Sequence, residues 1–241
     1  MKSFPAYLRK VTSALSPLYA GTHVPDTLME ESFCSVMDVL VATMLSQATT
    51  DKNSLRAFQK LKARFPSWEM VLSAPLSDVA ECIREAGLHN EKAERIRNTL
   101  EKVRSDTGCL DLEHLRYQRP EDAYRYLLSL LGVGPKTAAC VMLFGLGRPA
   151  FPVDTHVFRV LGRLTGHSLG KSREAMQRAV ESEIDPEICR DLHVFLIKHG
   201  RKICLPRNPR CSDCPLTGLC EEHNTRERSL SPNLKELTRA D

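Results

Sequence analysis

The stretch Leu130–Leu131–Gly132–Val133–Gly134–Pro135–Lys136–Thr137–Ala138 decides how the rest of the chain is read. It ends one helical pattern and opens another. The two glycines permit a tight turn and let backbone approach a ligand closely. Pro135 suits the first turn of the second helix, and the N–H groups exposed there suit an oxyanion such as a phosphate. Lys136 stands in that same first turn. A generic lysine there is a solvated surface group. The helix dipole disfavours a cation at this end and favours the neutral amine, which is the nucleophilic form. An ordinary lysine, with a pKa of about 10.4, is almost wholly protonated near neutrality, so a nucleophilic role needs a lowered pKa or a neighbouring base.

Outward from this turn, apolar residues recur at helical spacing. Val36, Val39, Leu40, Thr43 and Met44 mark a buried helix over 33–44. Leu55, Phe58, Leu61 and Phe65 mark the next. Val79, Cys82 and Ile83 mark one ended by Gly87, and Ala93, Ile96, Leu100 and Val103 one ended by Gly108. Pro120 opens a helix running towards Leu130. Further helices are expected over 136–144, 155–164, 173–183 and 188–199. No stretch alternates with period two, so the fold class is all-α. A glycine turn between two such helices is the helix-hairpin-helix pattern, which grips a DNA backbone without reading sequence. Gly132, Val133 and Gly134 are its candidate DNA-binding residues.

The chain of 241 residues suits one large domain or two small ones. At 42% hydrophobic it is globular, and its net charge of +4 is by itself a weak argument for a polyanionic partner. No window approaches the ~18 apolar residues of a membrane span. The N-terminal run MKSFPAYLRKVTSALSPLYA has a short apolar stretch broken by Thr12, Ser13, Ser16 and Pro17. Its apolar positions Phe4, Tyr7, Leu8, Val11 and Leu15 predict an amphipathic helix rather than a targeting segment. No long linker or solenoid repeat interrupts the chain. The segment after Cys220 is polar, without a clear periodic face, and is expected to be loosely held.

Nine cysteines, an odd number with no secretion signal, argue for thiols or metal ligands rather than disulfides, and for an intracellular protein. Cys34, Cys82, Cys109, Cys140 and Cys189 are scattered and read as small core residues. Cys204, Cys211, Cys214 and Cys220 stand at C-x6-C-x2-C-x5-C. Four thiolates in one short loop can wrap a single metal centre, and the x2 pair is a chelating bite common to zinc and iron–sulfur sites. Ligand type alone leaves both open. Pro206, Pro209 and Pro215 stiffen the loop. Arg201, Lys202, Arg207 and Arg210 are either ordinary surface charge or, on a loop fixed by metal, a cationic lobe for phosphates. We assign the latter role to Arg207 and Arg210.

Downstream of the hairpin stands Phe151–Pro152–Val153–Asp154–Thr155–His156–Val157–Phe158–Arg159. Asp154 precedes a helical run and reads as its N-cap. A carboxylate aimed in this way can also stabilise an oxocarbenium-like sugar or relay a proton. His156 reads as structural.

The order G-V-G-P-K-T-A, then V-D-T-H-V-F-R-V, then C-x6-C-x2-C-x5-C closely resembles the endonuclease III family of DNA glycosylases. Leu45–Ser46–Gln47–Ala48–Thr49–Thr50–Asp51, Gly87–Leu88–His89–Asn90 with Lys92–Ala93, and Leu196–Ile197–Lys198–His199–Gly200–Arg201 extend the likeness. It runs from about Phe33 to Cys220. The resemblance implies two helical domains flanking a DNA-binding cleft: a six-helix barrel with the hairpin over 33–147, and an iron–sulfur domain joining 1–32 to 148–222, followed by a polar tail over 223–241. It implies a [4Fe–4S] cluster, structural and DNA-facing, on the four cysteines. It also implies a bifunctional enzyme that flips oxidised pyrimidines out of duplex DNA into a pocket between the domains. Lys136 would attack C1′ and form a Schiff base, Asp154 would handle protons and stabilise positive charge, and elimination would cut the strand. The expected partner is double-stranded DNA with damaged bases or abasic sites. The protein is expected to be a cytoplasmic monomer, associated with the nucleoid through DNA and not with membrane.

The family pattern Ser-Ala-Gln-Ala-Thr-Asp, whose glutamine fills the gap left by the flipped base, is altered here. Counted from either flank, Gln47 lies one residue early and Ala48 takes its place. Gln47 with a local shift and Leu88 from the other side are the candidate wedges. Two other readings share these motifs. One is an adenine glycosylase acting on mispairs, disfavoured by Lys136 and by the short tail. The other is a non-catalytic iron–sulfur DNA-binding or redox-sensing protein, disfavoured by the pairing of Lys136 with Asp154.

Overall fold

The computed structural model describes residues 3–21 and 35–230. Its helices are α1 (Phe4–Tyr19), α2 (Val36–Leu45), α3 (Asp51–Arg64), α4 (Trp68–Ser73), α5 (Leu76–Cys82) and α6 (His89–Thr107). They continue as α7 (Pro120–Ser129), α8 (Pro135–Cys140), α9 (Thr155–Leu164), α10 (Arg173–Glu181), α11 (Pro186–Lys202) and α12 (Glu221–Leu230). Among the described residues there is no strand, and the fold is all-helical as expected. The chain divides into two compact units, 23–152 and 1–22 with 153–241.

The unit of 23–152 is built round α2, all of whose residues are buried. Ser35 caps it by accepting the N–H of Asp38 at 3.1 Å. Helices α3, α6 and α8 pack on it. Helix α6 buries Ala93, Ile96, Leu100 and Val103 on one stripe and ends at Gly108, whose φ of 77° closes the helix in the left-handed region. The predicted helix over 136–144 is α-helical only to Cys140. From Val141 the coil widens, and the N–H of Leu146 reaches the carbonyl of Val141 at 2.9 Å. Gly145 lies in this wide turn, where a Cβ would stand 3.3 Å from Val36, so the backbone comes close to α2.

In the other unit α1 and α9 pack on α11. The N-terminal helix forms as predicted and buries Leu8, Val11 and Leu15, with Tyr19 at its end. The tail departs from expectation, because its first part is the helix α12. That helix packs on α9 through charge rather than an apolar face: Glu222 stands 3.5 Å from Arg163 and also pairs with Arg226 one turn on. Hydrophobic periodicity therefore gives no sign of it. Residues 231–241 lie outside the described chain.

Among the scattered cysteines, Cys140 and Cys189 are buried and Cys82 is half-buried. Cys109 is exposed, contrary to expectation: it follows the Gly108 cap, where the chain has already left the core stripe of α6. Cys34 lies outside the described residues.

Candidate active site and metal centre

The hairpin forms between α7 and α8. Gly132 has a φ of 79°, a conformation that L side chains rarely adopt, and the N–H of Val133 returns to the carbonyl of Leu130 at 3.1 Å. Val133 is buried beneath the turn, while Leu131, Gly132 and Gly134 are exposed. Pro135 is the first residue of α8 and Lys136 the second, half-buried. Helix α6 supports the turn from below. The hydroxyl of Thr99 donates to the carbonyl of Leu131 at 3.3 Å, and a Cβ on Gly132 would meet the Arg95 side chain at 3.2 Å.

Gln47 reaches the hairpin. Its amide donates to the carbonyl of Gly132 and to the hydroxyl of Thr137, each at 3.3 Å. Ala48, the next residue, is exposed with a φ of 53°. Leu88 is 56% exposed with a φ of 47° and precedes α6. Between these two turns lies Lys92, which the sequence presents only as part of a motif. It is 3% exposed, and its ammonium donates to the carbonyls of Leu45 at 2.8 Å, Gln47 at 2.7 Å and Ala86 at 2.8 Å.

Asp154 caps α9 as its position predicts, accepting the N–H of Val157 at 2.7 Å. His156 is structural in its contacts. Its Nδ1 meets Arg159 at 3.1 Å, and its Cβ would stand 3.0 Å from a Cβ on Gly200. Burial lowers its pKa and so favours the neutral ring.

Cys204, Cys211, Cys214 and Cys220 all line one cavity of about 40 Å³. By this measure one water needs about 10–15 Å³, so the space suits a body of several atoms. Burial, with the charges of the other three cysteines, pushes the Cys214 thiol up to about 11. Four bare thiolates are thus unfavourable here without a cationic centre among them.

The family model for the HhH-GPD superfamily base excision DNA repair protein matches residues 41–186, and that for the iron–sulfur binding domain of endonuclease III matches 204–220. The chain belongs to the HhH-GPD superfamily.

Among HhH-GPD relatives, a putative DNA glycosylase of Arabidopsis thaliana is 40% identical over 80% of this chain and 69% of its own length. Endonuclease III of Escherichia coli K12 is 35% identical over 82% of this chain and 89% of its own. Of the longer DNA glycosylase/AP lyase ROS1 of Arabidopsis thaliana, the chain spans only 12%. A solved structure of a non-covalent endonuclease III–DNA complex matches with a TM-score of 0.76 and 26% identity, covering 94% of this chain and 99% of that one.

This HhH-GPD chain therefore carries an iron–sulfur loop of the endonuclease III type, and a [4Fe–4S] cluster is its cofactor. The donor set fits: the four cysteines would hold the cluster, and neighbouring groups donate to their sulfurs. Arg163 donates to Cys204 Sγ and the N–H of Leu216 to Cys214 Sγ, each at 3.4 Å. His199, lowered to about 4 by burial, is neutral; its Nε2 meets Cys214 Sγ at 3.4 Å and its Nδ1 meets the Tyr19 hydroxyl at 3.2 Å. Arg163 and His199 were not among the predicted site residues. Their place in V-F-R-V-L-G-R and I-K-H-G-R, beside motifs already singled out, was the available signal. On the cysteine loop Arg207 and Arg210 are both exposed, and Arg210 pairs with Asp213 at 2.7 Å. Among the described residues no helix is long and apolar enough to cross a membrane.

Proposed function

We propose that this chain is a bifunctional DNA glycosylase and abasic-site lyase that removes oxidised pyrimidines from duplex DNA with Lys136 as nucleophile. The observation that carries the reading is the half-buried lysine at the second position of α8, directly behind the Gly132 turn. The backbone of Gly132, Val133 and Gly134 holds a phosphate beside it, and Arg207 and Arg210 hold others. Gln47 and Leu88 occupy the space left when the damaged nucleotide turns out of the stack.

The chemistry follows from an amine. Unprotonated Lys136 Nζ bonds to C1′ as the glycosidic C–N bond breaks, and its electron pair leaves with the base, which takes up a proton. Asp154 accepts the proton that the attacking nitrogen loses and stabilises positive charge on the sugar. Asp154 returns that proton to O4′ as the C1′–O4′ bond breaks, and the sugar ring opens to a protonated Schiff base. Removal of a C2′ proton then sends the electron pair to expel the 3′ phosphate, and water releases the lysine. The [4Fe–4S] cluster supplies structure to the loop bearing Arg207 and Arg210.

A panel of lesion-bearing duplexes, with and without borohydride, tests this. Borohydride should join the wild-type chain to thymine-glycol DNA, and Lys136→Gln should abolish trapping and nicking while binding survives. Comparable turnover by Lys136→Gln would refute the assigned nucleophile.

A further inference from the structure

Lys92 is buried in a setting that ought to exclude a charge, and all three N–H bonds of its ammonium end on backbone carbonyls. An ammonium has three donors and no acceptor, so the site is matched to it. The three carbonyls do not belong to one loop. Leu45 and Gln47 lie at the end of α2 and in the turn after it, and Ala86 lies in the turn before α6. The first turn carries Gln47 and Ala48, and the second carries Leu88. Both contain a non-glycine residue at positive φ: Ala48 at 53° and Leu88 at 47°. Such residues hold that conformation only where the surroundings impose it.

The tie extends to the hairpin. Gln47 accepts from Lys92 with its backbone carbonyl and donates to Gly132 with its side-chain amide. Helix α6, which supplies Lys92, also supplies Arg95 under Gly132 and Thr99 to Leu131. One helix face therefore sets the relative positions of the phosphate-gripping turn and of both turns that would enter the base stack.

We propose that Lys92 is a positioning residue for base extrusion, fixing the spacing between the Gln47 and Leu88 turns without touching DNA. The proposal rests on the assignment of those two residues as wedges. Its consequence is selective. Turning a paired base out of the stack needs both wedges in register, whereas cutting a preformed abasic site does not require a base to be expelled.

The test compares wild type with Lys92→Met, similar in length but without donors, after circular dichroism and a thermal melt establish that the variant is folded. Two single-turnover rates are measured, on a duplex with thymine glycol and on one with an abasic site. Fluorescence of 2-aminopurine next to a thymine glycol whose 2′-fluoro sugar blocks cleavage reports base extrusion without any chemistry. We expect the thymine-glycol rate to fall about tenfold or more and the fluorescence rise to be largely lost, with abasic cutting within about threefold of wild type. Adding Lys92→Met to a Gln47→Ala/Leu88→Ala background should cost little more, because the effects share one route. If Lys92→Met does not fold, Lys92→Gln, which keeps two donors, is read by the same ratio and fluorescence.

Equal losses on both substrates in a folded variant, or no loss on either, would overturn the proposal while leaving the enzyme assignment intact. A wild-type chain inactive on every damaged duplex would instead overturn the assignment. The fluorescence would then still decide the role of Lys92.

Discussion

The Arg163 guanidinium donates to the Sγ of Cys204 at 3.4 Å and, with its other N–H bonds, to the carbonyls of Leu205 at 2.7 Å and Pro206 at 3.0 Å. One side chain thus steadies both a candidate ligand and the loop behind it, and offsets negative charge on the sulfur. Groups behind metal ligands commonly change affinity tenfold or more when removed. Arg163→Gln should therefore lose the visible absorbance of the cluster about tenfold faster in the presence of a chelator. An unchanged rate of bleaching would show that the contact is incidental.

The exposed Arg207 and Arg210 are not equivalent, since Asp213 already partners Arg210 at 2.7 Å. If both contact phosphates, the double alanine variant should flatten the dependence of log affinity on log salt by up to about 1.8, at about 0.9 per phosphate. Arg207→Ala alone should account for most of it, and Asp213→Asn should strengthen binding. Fluorescence anisotropy across a salt series reads all three, and a constant slope would remove the cationic lobe.

In the unit of 23–152, Lys62 stands 3.3 Å from Asp38, whose side chain is only 5% exposed. Lys62 also lies over the Trp68 ring at 4.5 Å. Lys62→Met leaves the carboxylate short of its cation and should cost about 2 kcal/mol of stability. Adding Asp38→Leu should recover much of that loss, because removing both charges abolishes the desolvation cost. Thermal melts of the single and double variants decide it.

Burial, with the Arg95 charge beside it, lowers Lys92 from 10.5 to about 8. The three carbonyls act in the opposite sense by favouring the ammonium. Between about 8 and 10.5 the unfolded chain holds a proton that the folded chain has released, so this residue's contribution to folding stability rises with pH across that window. The neutral amine has only two N–H bonds for three carbonyls, so the tie weakens over the same window. The melting temperature of wild type relative to Lys92→Met should therefore rise above pH 8 while the preference for thymine glycol over an abasic site falls. Both quantities moving in the same direction would count against this account.

Helix α9 was legible in full, from Asp154 as its cap to Leu164, because capping and apolar spacing are both local signals. The end of α6 at Gly108 was legible for the same reason. Helix α12 was not, since its hold on the fold is Glu222 facing Arg163, a pairing between distant residues with no periodic trace. The widening of the coil after Cys140 also escaped, because a helical pattern of apolar residues cannot distinguish an α turn from a wider one. At the site, the hairpin and the four cysteines announced themselves by spacing. Lys92 did not, because its partners are carbonyls, which every residue carries and no sequence distinguishes.

Glycine would sit more comfortably than alanine at 48 or leucine at 88, where both backbones are held at positive φ. L residues in that region cost roughly 1–2 kcal/mol apiece. The chain tolerates this tension in two loops bearing on a single buried cation. If these two turns are the wedges, a surface kept under tension in the free protein has no slack left to take up when DNA arrives, and the tool is set before any lesion is met.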